Sequence, residues 1–164
     1  TFGYTFEDDI KSRLELLFDY VTGDDDPTDG DFNRFDTLFG ARRFEFGPTG
    51  IFGAFARANL VSPGLRYSFF PGDRWQVMLA HRQHFLESDR DAWTTSGLVD
   101  ATGAAGDQIG SLSEIRIRYD VEPKSLRLEF GVAHFAAGDF VDDAPNATTQ
   151  GDSLYGYVQT NFTF

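Results

Sequence analysis

Arginine side chains recur at alternate positions in several short segments of this chain. Arg116 and Arg118 stand two residues apart in one segment, and Arg127 follows in the next. The planar guanidinium fork matches a carboxylate in two-point geometry, so arginines that share one face could bind an anionic ligand. This face is expected to carry Arg13, Arg66, Arg82, Arg116, Arg118 and Arg127, together with the acidic residues Glu15, Asp19, Glu114, Asp120 and Glu129. Cross-strand salt bridges that merely satisfy a polar surface are therefore the alternative role of these arginines.

Alternation of apolar and polar residues places the arginines on β-strands. In residues 111–121, Ile115, Ile117 and Tyr119 share one parity, and Arg116 and Arg118 share the other. Period-two alternation is the pattern of a strand with one apolar face. Seven such segments are found, at 1–6, 12–22, 65–70, 74–86, 111–121, 125–136 and 154–164. The sequence therefore predicts an all-β fold.

The connections between the predicted strands alternate in length. Short polar turns at 7–11, 71–73 and 122–124 alternate with long breaks at about 23–61, 87–110 and 137–153. Strands joined by tight turns are antiparallel, so all long breaks fall at one end of the sheet. Short periplasmic turns and long extracellular loops are typical of outer-membrane barrels. Within the first break, residues 51–60 fit a short helix, a strand or a packed loop.

Strand length and charge favour a transmembrane β-barrel over a soluble sheet. About eleven residues that rise about 3.3 Å each, tilted by roughly 45°, span about the 25 Å height of a lipid-facing band. A shift by one residue would turn Arg116 and Arg118 toward lipid, at a cost of about 2–4 kcal/mol each. The apolar parity is therefore expected to face outward. A soluble β-sandwich or lipocalin-like binding protein, whose apolar parity would face inward, is the alternative.

Composition narrows the classes of function. Aromatic residues make up 16% of the chain, cysteine is absent, and the formal net charge is −12. A strongly acidic chain is a poor nucleic-acid binder, and the sequence contains no motif of a hydrolase, a nucleotide site or a zinc site. His81 and His84 stand three residues apart on a predicted strand, so their side chains point to opposite faces. We therefore predict no enzyme activity, no cofactor and no metal site.

Most acidic residues fall in the long breaks rather than in the strands. The first break alone contains Asp24, Asp25, Asp26, Asp29 and Asp31. We expect these carboxylates to be solvated loop residues. Binding of divalent cations beside lipopolysaccharide is the functional alternative.

The strand count points to a larger barrel. A closed single-chain bacterial barrel normally has an even number of strands, whereas seven are predicted here. With residue 164 on the periplasmic side, residue 1 falls on the extracellular side and inside a strand. We therefore expect residues 1–164 to be the C-terminal portion of a larger outer-membrane barrel.

Several loop and turn motifs match a known pattern. They are FDTLFG at 35–40, GPTGIFG at 47–53, SPGLR at 62–66, DRW at 73–75, DAWTT at 91–95, DAPN at 143–146 and YGYVQ at 155–159. With these motifs the chain resembles the alginate export family of bacterial outer-membrane barrels. The resemblance implies an 18-stranded monomeric barrel with an arginine-bearing lumen that exports an anionic, alginate-like exopolysaccharide.

The resemblance gives the inward-facing arginines a role. A uronate polymer has one carboxylate per sugar, so its pore needs fixed cations. The candidate pore-lining residues are Arg116, Arg118, Arg127, Arg82, Arg66, Arg13 and Tyr157. Among them, Arg116, Arg118 and Arg127 are the first choices for substrate contact, and Tyr157 would add a stacking surface for sugar. A general porin or small-solute channel, with the arginines only in salt bridges, is the alternative.

The resemblance also implies partners and a location. Phe162 and Phe164 become candidates for the terminal signal that barrel-insertion machinery reads. The other expected partners are the anionic polysaccharide, outer-membrane lipid, lipopolysaccharide and periplasmic export proteins, with no nucleic acid. The expected location is the bacterial outer membrane.

Overall fold

The computed structural model describes residues 1–26, 28–36, 55–94, 96–148 and 151–164. Seven strands form one sheet, in the order in which they occur along the chain. They are β1 (Phe2–Thr5), β2 (Arg13–Val21), β3 (Leu60–Gly72), β4 (Trp75–Phe85), β5 (Gln108–Glu122), β6 (Leu126–Ala137) and β7 (Ser153–Phe162). Every pairing is antiparallel and joins strands that are consecutive in the sequence. The prediction of an all-β fold with seven strands is thus confirmed.

Two features of the connections differ from expectation. Strand β3 begins at Leu60, opposite Val21, rather than at the predicted residue 65. Pro63 and Gly64 concealed this extension, because proline and glycine are uncommon inside strands. A single helical turn, α1 (Asp139–Asp143), lies in the third long connection, and no helix among the described residues is long and apolar enough to span a membrane. Of the ambiguous residues 51–60, the first four lie outside the described residues.

The apolar side of the sheet is its exposed side. Leu16, Leu65 and Ile115 expose 54%, 50% and 49% of their surface, whereas Leu17 and Ala133 on the arginine-bearing side expose 3% and 0%. A soluble sheet would bury its apolar parity as a core. The bare apolar face therefore excludes the soluble sandwich, and it has the orientation expected of a barrel wall in lipid.

The apolar band on this outer face shifts from strand to strand. On β2 and β3 it extends toward the long connections as far as the paired Tyr20 and Val61. On β4, β5 and β6 it gives way to polar residues after the paired Leu79, Ile115 and Val132, which lie closer to the short turns. The limit lies in one register row on β4, β5 and β6, and on β7 the outer face is apolar again at Leu154, the partner of His134.

The long connections fold inward over one end of the arginine-bearing inner face. Phe55 stacks on His84, with 3.9 Å between the ring centroids, and its ring centroid lies 5.7 Å from Trp93 and 5.8 Å from Phe135. The buried apolar cluster consists of Phe55, Leu60, Leu86, Trp93, Ala105, Ile109, Leu112, Ala133, Phe135, Phe140, Val141 and Ala144. Because strands and connections both contribute, the main apolar core lies at the long-connection end of the inner face.

A buried asparagine joins the first two long connections. Asn59 is 0% exposed, and its carboxamide oxygen accepts hydrogen bonds from the backbone N–H groups of Glu87 at 3.0 Å and Ser88 at 2.7 Å. Its NH₂ group donates to the carbonyl oxygens of Ser88 at 3.0 Å and Ala92 at 3.3 Å. Its backbone φ is +48°, which asparagine tolerates better than most residues. Asn59 therefore satisfies buried backbone groups that no strand pairing reaches.

Buried carboxylates organise the same loops. Asp24 and Asp91 are 5% and 3% exposed. The Asp91 carboxylate accepts hydrogen bonds from the Asp24 backbone N–H at 2.9 Å and from Arg34 Nε at 2.7 Å. The hydrogen bond to Asp91 raises the pKa of Arg34. The expectation of solvated loop acids is therefore wrong for these two residues and for Asp100, which is 2% exposed. No group of metal-ligating side chains that could hold an ion is present in the described part of the chain.

Replacing Asn59 should loosen the loops and spare the sheet. In Asn59→Gly the positive φ remains easily accessible, so the variant isolates the loss of the carboxamide. Buried N–H groups left unsatisfied cost about 1–3 kcal/mol, so the Glu87 and Ser88 amides should exchange with deuterium about 5- to 150-fold faster, while strand amides keep their protection. Asn33→Ala, at an exposed loop position, is the matched control. Equal protection in both variants would contradict this role for Asn59.

The turn that follows Asp100 should loosen only in acid. The Asp100 carboxylate accepts hydrogen bonds from the Thr102 hydroxyl at 2.6 Å and from the Ala105 backbone N–H at 2.8 Å, and these bonds lower its pKa below the usual value of an aspartate. A carboxyl group of lowered pKa stabilises the folded turn at higher pH and loses that effect as the pH falls through the folded-state pKa. Protection of the Ala105 amide, corrected for intrinsic exchange, should hold down to about pH 5 and fall below about pH 4. If the Ala105 amide of Asp100→Asn is as well protected at pH 7 as that of the native protein, the Asp100 carboxylate does not stabilise the turn.

Candidate functional site

An open groove of about 440 Å³ runs along the inner face of β5, β6 and β7, near the short turns. Its polar lining includes Arg116, Arg118, Arg127, Asp120, Glu129 and Gln159. The register explains this grouping, because Arg118 pairs with Glu129 and Asp120 pairs with Arg127 across β5 and β6. The structure thus brings together the three arginines that were the first choices for substrate contact.

A buried carboxylate anchors the groove. Glu129 is 4% exposed, and its Oε2 accepts a hydrogen bond from Arg118 Nε at 2.5 Å. Its Oε1 accepts one from the Tyr157 hydroxyl at 2.7 Å. Arg118 also donates through Nη1 to the Gln76 side-chain oxygen at 3.4 Å. These contacts on both carboxylate oxygens compensate the burial of the Glu129 charge.

A second ion pair lies at the edge of the groove. Arg127 Nε donates to Asp120 Oδ1 at 2.6 Å, and Arg127 Nη2 donates to Asp120 Oδ2 at 3.2 Å. This two-point geometry is the strong form of an arginine–carboxylate contact. The side chain of Arg127 is nevertheless 45% exposed, so one face of the pair remains open to the groove.

Arg116 differs from the other candidate arginines. It lies between Met78 on β4 and Gly131 on β6. Among the described residues it is the one inward arginine with no carboxylate within 4.0 Å, although Glu114 and Glu129 attract it from farther away. A guanidinium that lines an open groove without a direct counter-ion can accept an anion from outside.

Gly131 creates the space for Tyr157. A Cβ at this glycine would overlap the Tyr157 ring, and Tyr157 is its cross-strand neighbour on β7. The ring therefore lies against the β6 backbone, and its hydroxyl reaches Glu129. Tyr155 stacks nearly parallel to Tyr157, with an interplanar angle of 16° and 6.0 Å between ring centroids. The two rings form an aromatic surface beside the arginines.

The remaining candidate arginines lie elsewhere on the inner face. Arg13 Nε and Arg66 Nη1 approach opposite oxygens of Glu15, at 3.4 Å and 3.8 Å. Arg82 Nη1 donates to Asp19 Oδ2 at 2.9 Å and to Ser62 Oγ at 3.1 Å. Arg82 is only 8% exposed. Arg66 and Arg82 thus join β3 and β4 to β2, and Arg13 Nη1 donates to Thr5 Oγ1 on β1 at 2.9 Å. None of the three lines the groove.

Comparison with known proteins identifies the family. A family model described as "Alginate export" matches residues 1–152. The chain belongs to the alginate export family. This is a family of outer-membrane β-barrel transport channels, so membership supports a role in exopolysaccharide export across the outer membrane. No match was found among curated proteins.

The resemblance inferred from loop motifs is thereby confirmed. Some of the motif residues, at 37–40, 47–53 and 95, lie outside the described residues. The motifs of an alginate export protein do not show which charges on the inner face pair with one another. The register of the sheet shows this. The central position of Glu129 and the need for glycine at residue 131 became visible only from that register.

Adding a methyl group at residue 131 should displace the Tyr157 ring. Gly131→Ala should cost about 1–3 kcal/mol in unfolding from detergent micelles, because the ring must move and its hydrogen bond to Glu129 is lost. Gly156→Ala is the matched control, since its Cβ would meet only the Gly131 carbonyl oxygen at 3.8 Å. The cost of Gly131→Ala should shrink in a Tyr157→Ala background. An undiminished cost there would show that the Tyr157 ring is not the cause.

Proposed function

We propose that this protein forms part of an outer-membrane channel that exports an anionic, alginate-like exopolysaccharide through an arginine-bearing lumen. On this chain the polymer contacts the groove on β5, β6 and β7. The observation that carries the proposal is Arg116, a cation that lines the open groove with no carboxylate within hydrogen-bonding reach among the described residues. Family membership supplies the substrate class.

The neighbouring ion pairs suit a polymer that must bind and then move on. A carboxylate of the polysaccharide binds Arg116 directly. The polysaccharide also meets Arg118 and Arg127, which remain paired with Glu129 and Asp120. Conduction requires contacts that are strong enough to admit the substrate and weak enough to release it. Alternating fixed charges meet both conditions, because each bound carboxylate is opposed by a nearby acid.

Polar and aromatic groups of β7 serve the sugar rings. Tyr155 and Tyr157 offer faces for stacking, as aromatic rings present an apolar surface with a polar tip. Gln159 donates to the Asn161 side-chain oxygen at 2.8 Å, and this pair leaves further amide groups available to sugar hydroxyls. Charge and stacking together would distinguish a uronate polymer from a simple anion.

The proposal also orients the wall in the membrane. The short turns and the groove face the periplasm, where export partners would deliver the polymer, and the long connections face outward. Along their outer edges, β1 and β7 have no partner strand among the described residues. Backbone groups in hydrocarbon need hydrogen-bond partners, so we propose that residues 1–164 are one portion of a barrel that further strands complete. We also propose that barrel-insertion machinery recognises Phe162 and Phe164 when the protein is inserted into the outer membrane.

Removing the Arg116 charge should weaken binding of the polymer. A unit charge pair at about 4 Å is worth about 1 kcal/mol in water, so Arg116→Gln should raise the concentration of oligouronate that half-blocks the channel at least about fivefold. Arg116→Glu should raise it further and lower the anion preference in planar-bilayer recordings of the full-length protein. Arg90→Gln removes one positive charge from an exposed loop residue and is the matched control.

Comparison with Arg118 sharpens this test. Arg118→Gln removes the partner of the buried Glu129 carboxylate, so it should reduce thermal stability more than Arg116→Gln does. If Arg116→Gln and Arg90→Gln give equal half-block concentrations and equal selectivity, Arg116 is not a polymer contact.

A small-solute channel is the second candidate function. The observation that favours it is that Arg13, Arg66, Arg82, Arg118 and Arg127 all lie in ion pairs. Vesicles containing the full-length protein distinguish the two functions. Efflux of oligouronates in preference to neutral sugars of equal length supports polymer export, and equal rates support the small-solute channel.

A further inference from the structure

A polar patch interrupts the outer face on three adjacent strands. His81, Ser113 and His134 are cross-strand neighbours on β4, β5 and β6, and the next row contains Gln83 and Ser111. We call these five residues the outer polar patch. All five belong to the outward parity, which elsewhere on these strands is largely apolar, and none of them faces the groove.

The outer polar patch is an ordered network rather than a scatter of polar residues. His81 Nδ1 lies 2.8 Å from Ser113 Oγ, and Gln83 Nε2 lies 3.0 Å from His81 Nε2. His134 Nε2 lies 3.6 Å from Asp152 Oδ2. His81, Ser113 and His134 are all exposed. The network therefore presents imidazole, hydroxyl and amide groups to whatever covers the outer face.

The position of the patch indicates what covers it. On β6 the apolar band runs from Leu126 to Val132, and His134 follows it. Eight residues at about 3.3 Å each, tilted by roughly 45°, place His134 about 19 Å above Leu126. The lipid-facing band of a barrel is about 25 Å high, so the patch lies near its upper boundary. That boundary is on the side of the long connections.

We propose that the outer polar patch binds the sugar–phosphate headgroup of the glycolipid in the outer leaflet. Imidazole, hydroxyl and amide groups can donate to phosphate and hydroxyl oxygens, and Asp152 can accept from sugar hydroxyls. The row of three strands spans about 10 Å, so several groups of one headgroup can be contacted at once. The acyl chains of the same lipid then cover Leu79, Ile115 and Val132 directly below.

Spin labels can test the depth of the patch. The chain contains no cysteine, so Ser113→Cys and Ile115→Cys, two residues apart on the same strand and face, each carry a single label. In vesicles of phosphatidylcholine with deep-rough lipopolysaccharide, the label at residue 113 should be relaxed more by a water-soluble nickel complex, and the label at residue 115 more by oxygen. Oxygen-dominated relaxation at both positions would place the patch in hydrocarbon and overturn the proposal.

Headgroup binding is tested separately by thermal unfolding of the full-length protein. Lipopolysaccharide added to phosphatidylcholine micelles should raise the Tm of the native protein, because a ligand that binds only the folded state stabilises it. The increase should be lost in His81→Leu/His134→Leu. It should persist in Thr160→Leu, the control, which makes an outer-face polar residue apolar near the short turns. No increase in the native protein, or an equal increase in all three, would refute headgroup binding at this patch.

Discussion

Alternation of side chains along a strand is the constraint on which this structure depends. A strand that shows every second side chain to lipid must turn all of its charge to the other face. The inner face therefore collects arginines and acids together, and five of the six inward arginines pair with a carboxylate, because a charge removed from water needs a partner. The resulting ion pairs include Arg13 with Glu15 and Arg127 with Asp120.

The same constraint separates structural from functional charge. A paired arginine such as Arg82 joins neighbouring strands, and its burial leaves it little contact with solvent. Arg116, which has no carboxylate within 4.0 Å among the described residues, can instead attract an anion from outside, at a cost in sheet stability. Because Arg116 lines the open groove, that cost falls in the region that we propose for the substrate. The aromatic pair of Tyr155 and Tyr157 borders the same region.

The two ends of the sheet differ in the environment that they give to inward-facing side chains. Near the short turns the inner face is open and polar, and this is where the groove lies. Near the long connections Phe55, Trp93 and Phe140 fill the inner face with apolar side chains, held by the hydrogen bonds of Asn59. On the outer face of β4, β5 and β6, the row at His81 interrupts the apolar band. Side-chain polarity thus changes along the strands together with the environment, on the inner face and on the outer face.

The sequence alone determined the strands, their antiparallel order and the outward apolar parity, because period-two alternation and turn length are local properties. It also placed all six candidate arginines on the inner face, for the same reason. Only the tertiary structure decided which charges are paired, since Glu129 and Arg118 meet through register across two strands. The inward packing of the long connections was likewise decided in three dimensions, because Phe55 and Trp93 belong to stretches without periodicity. What a residue faces followed from its parity, and what it touches followed from the fold.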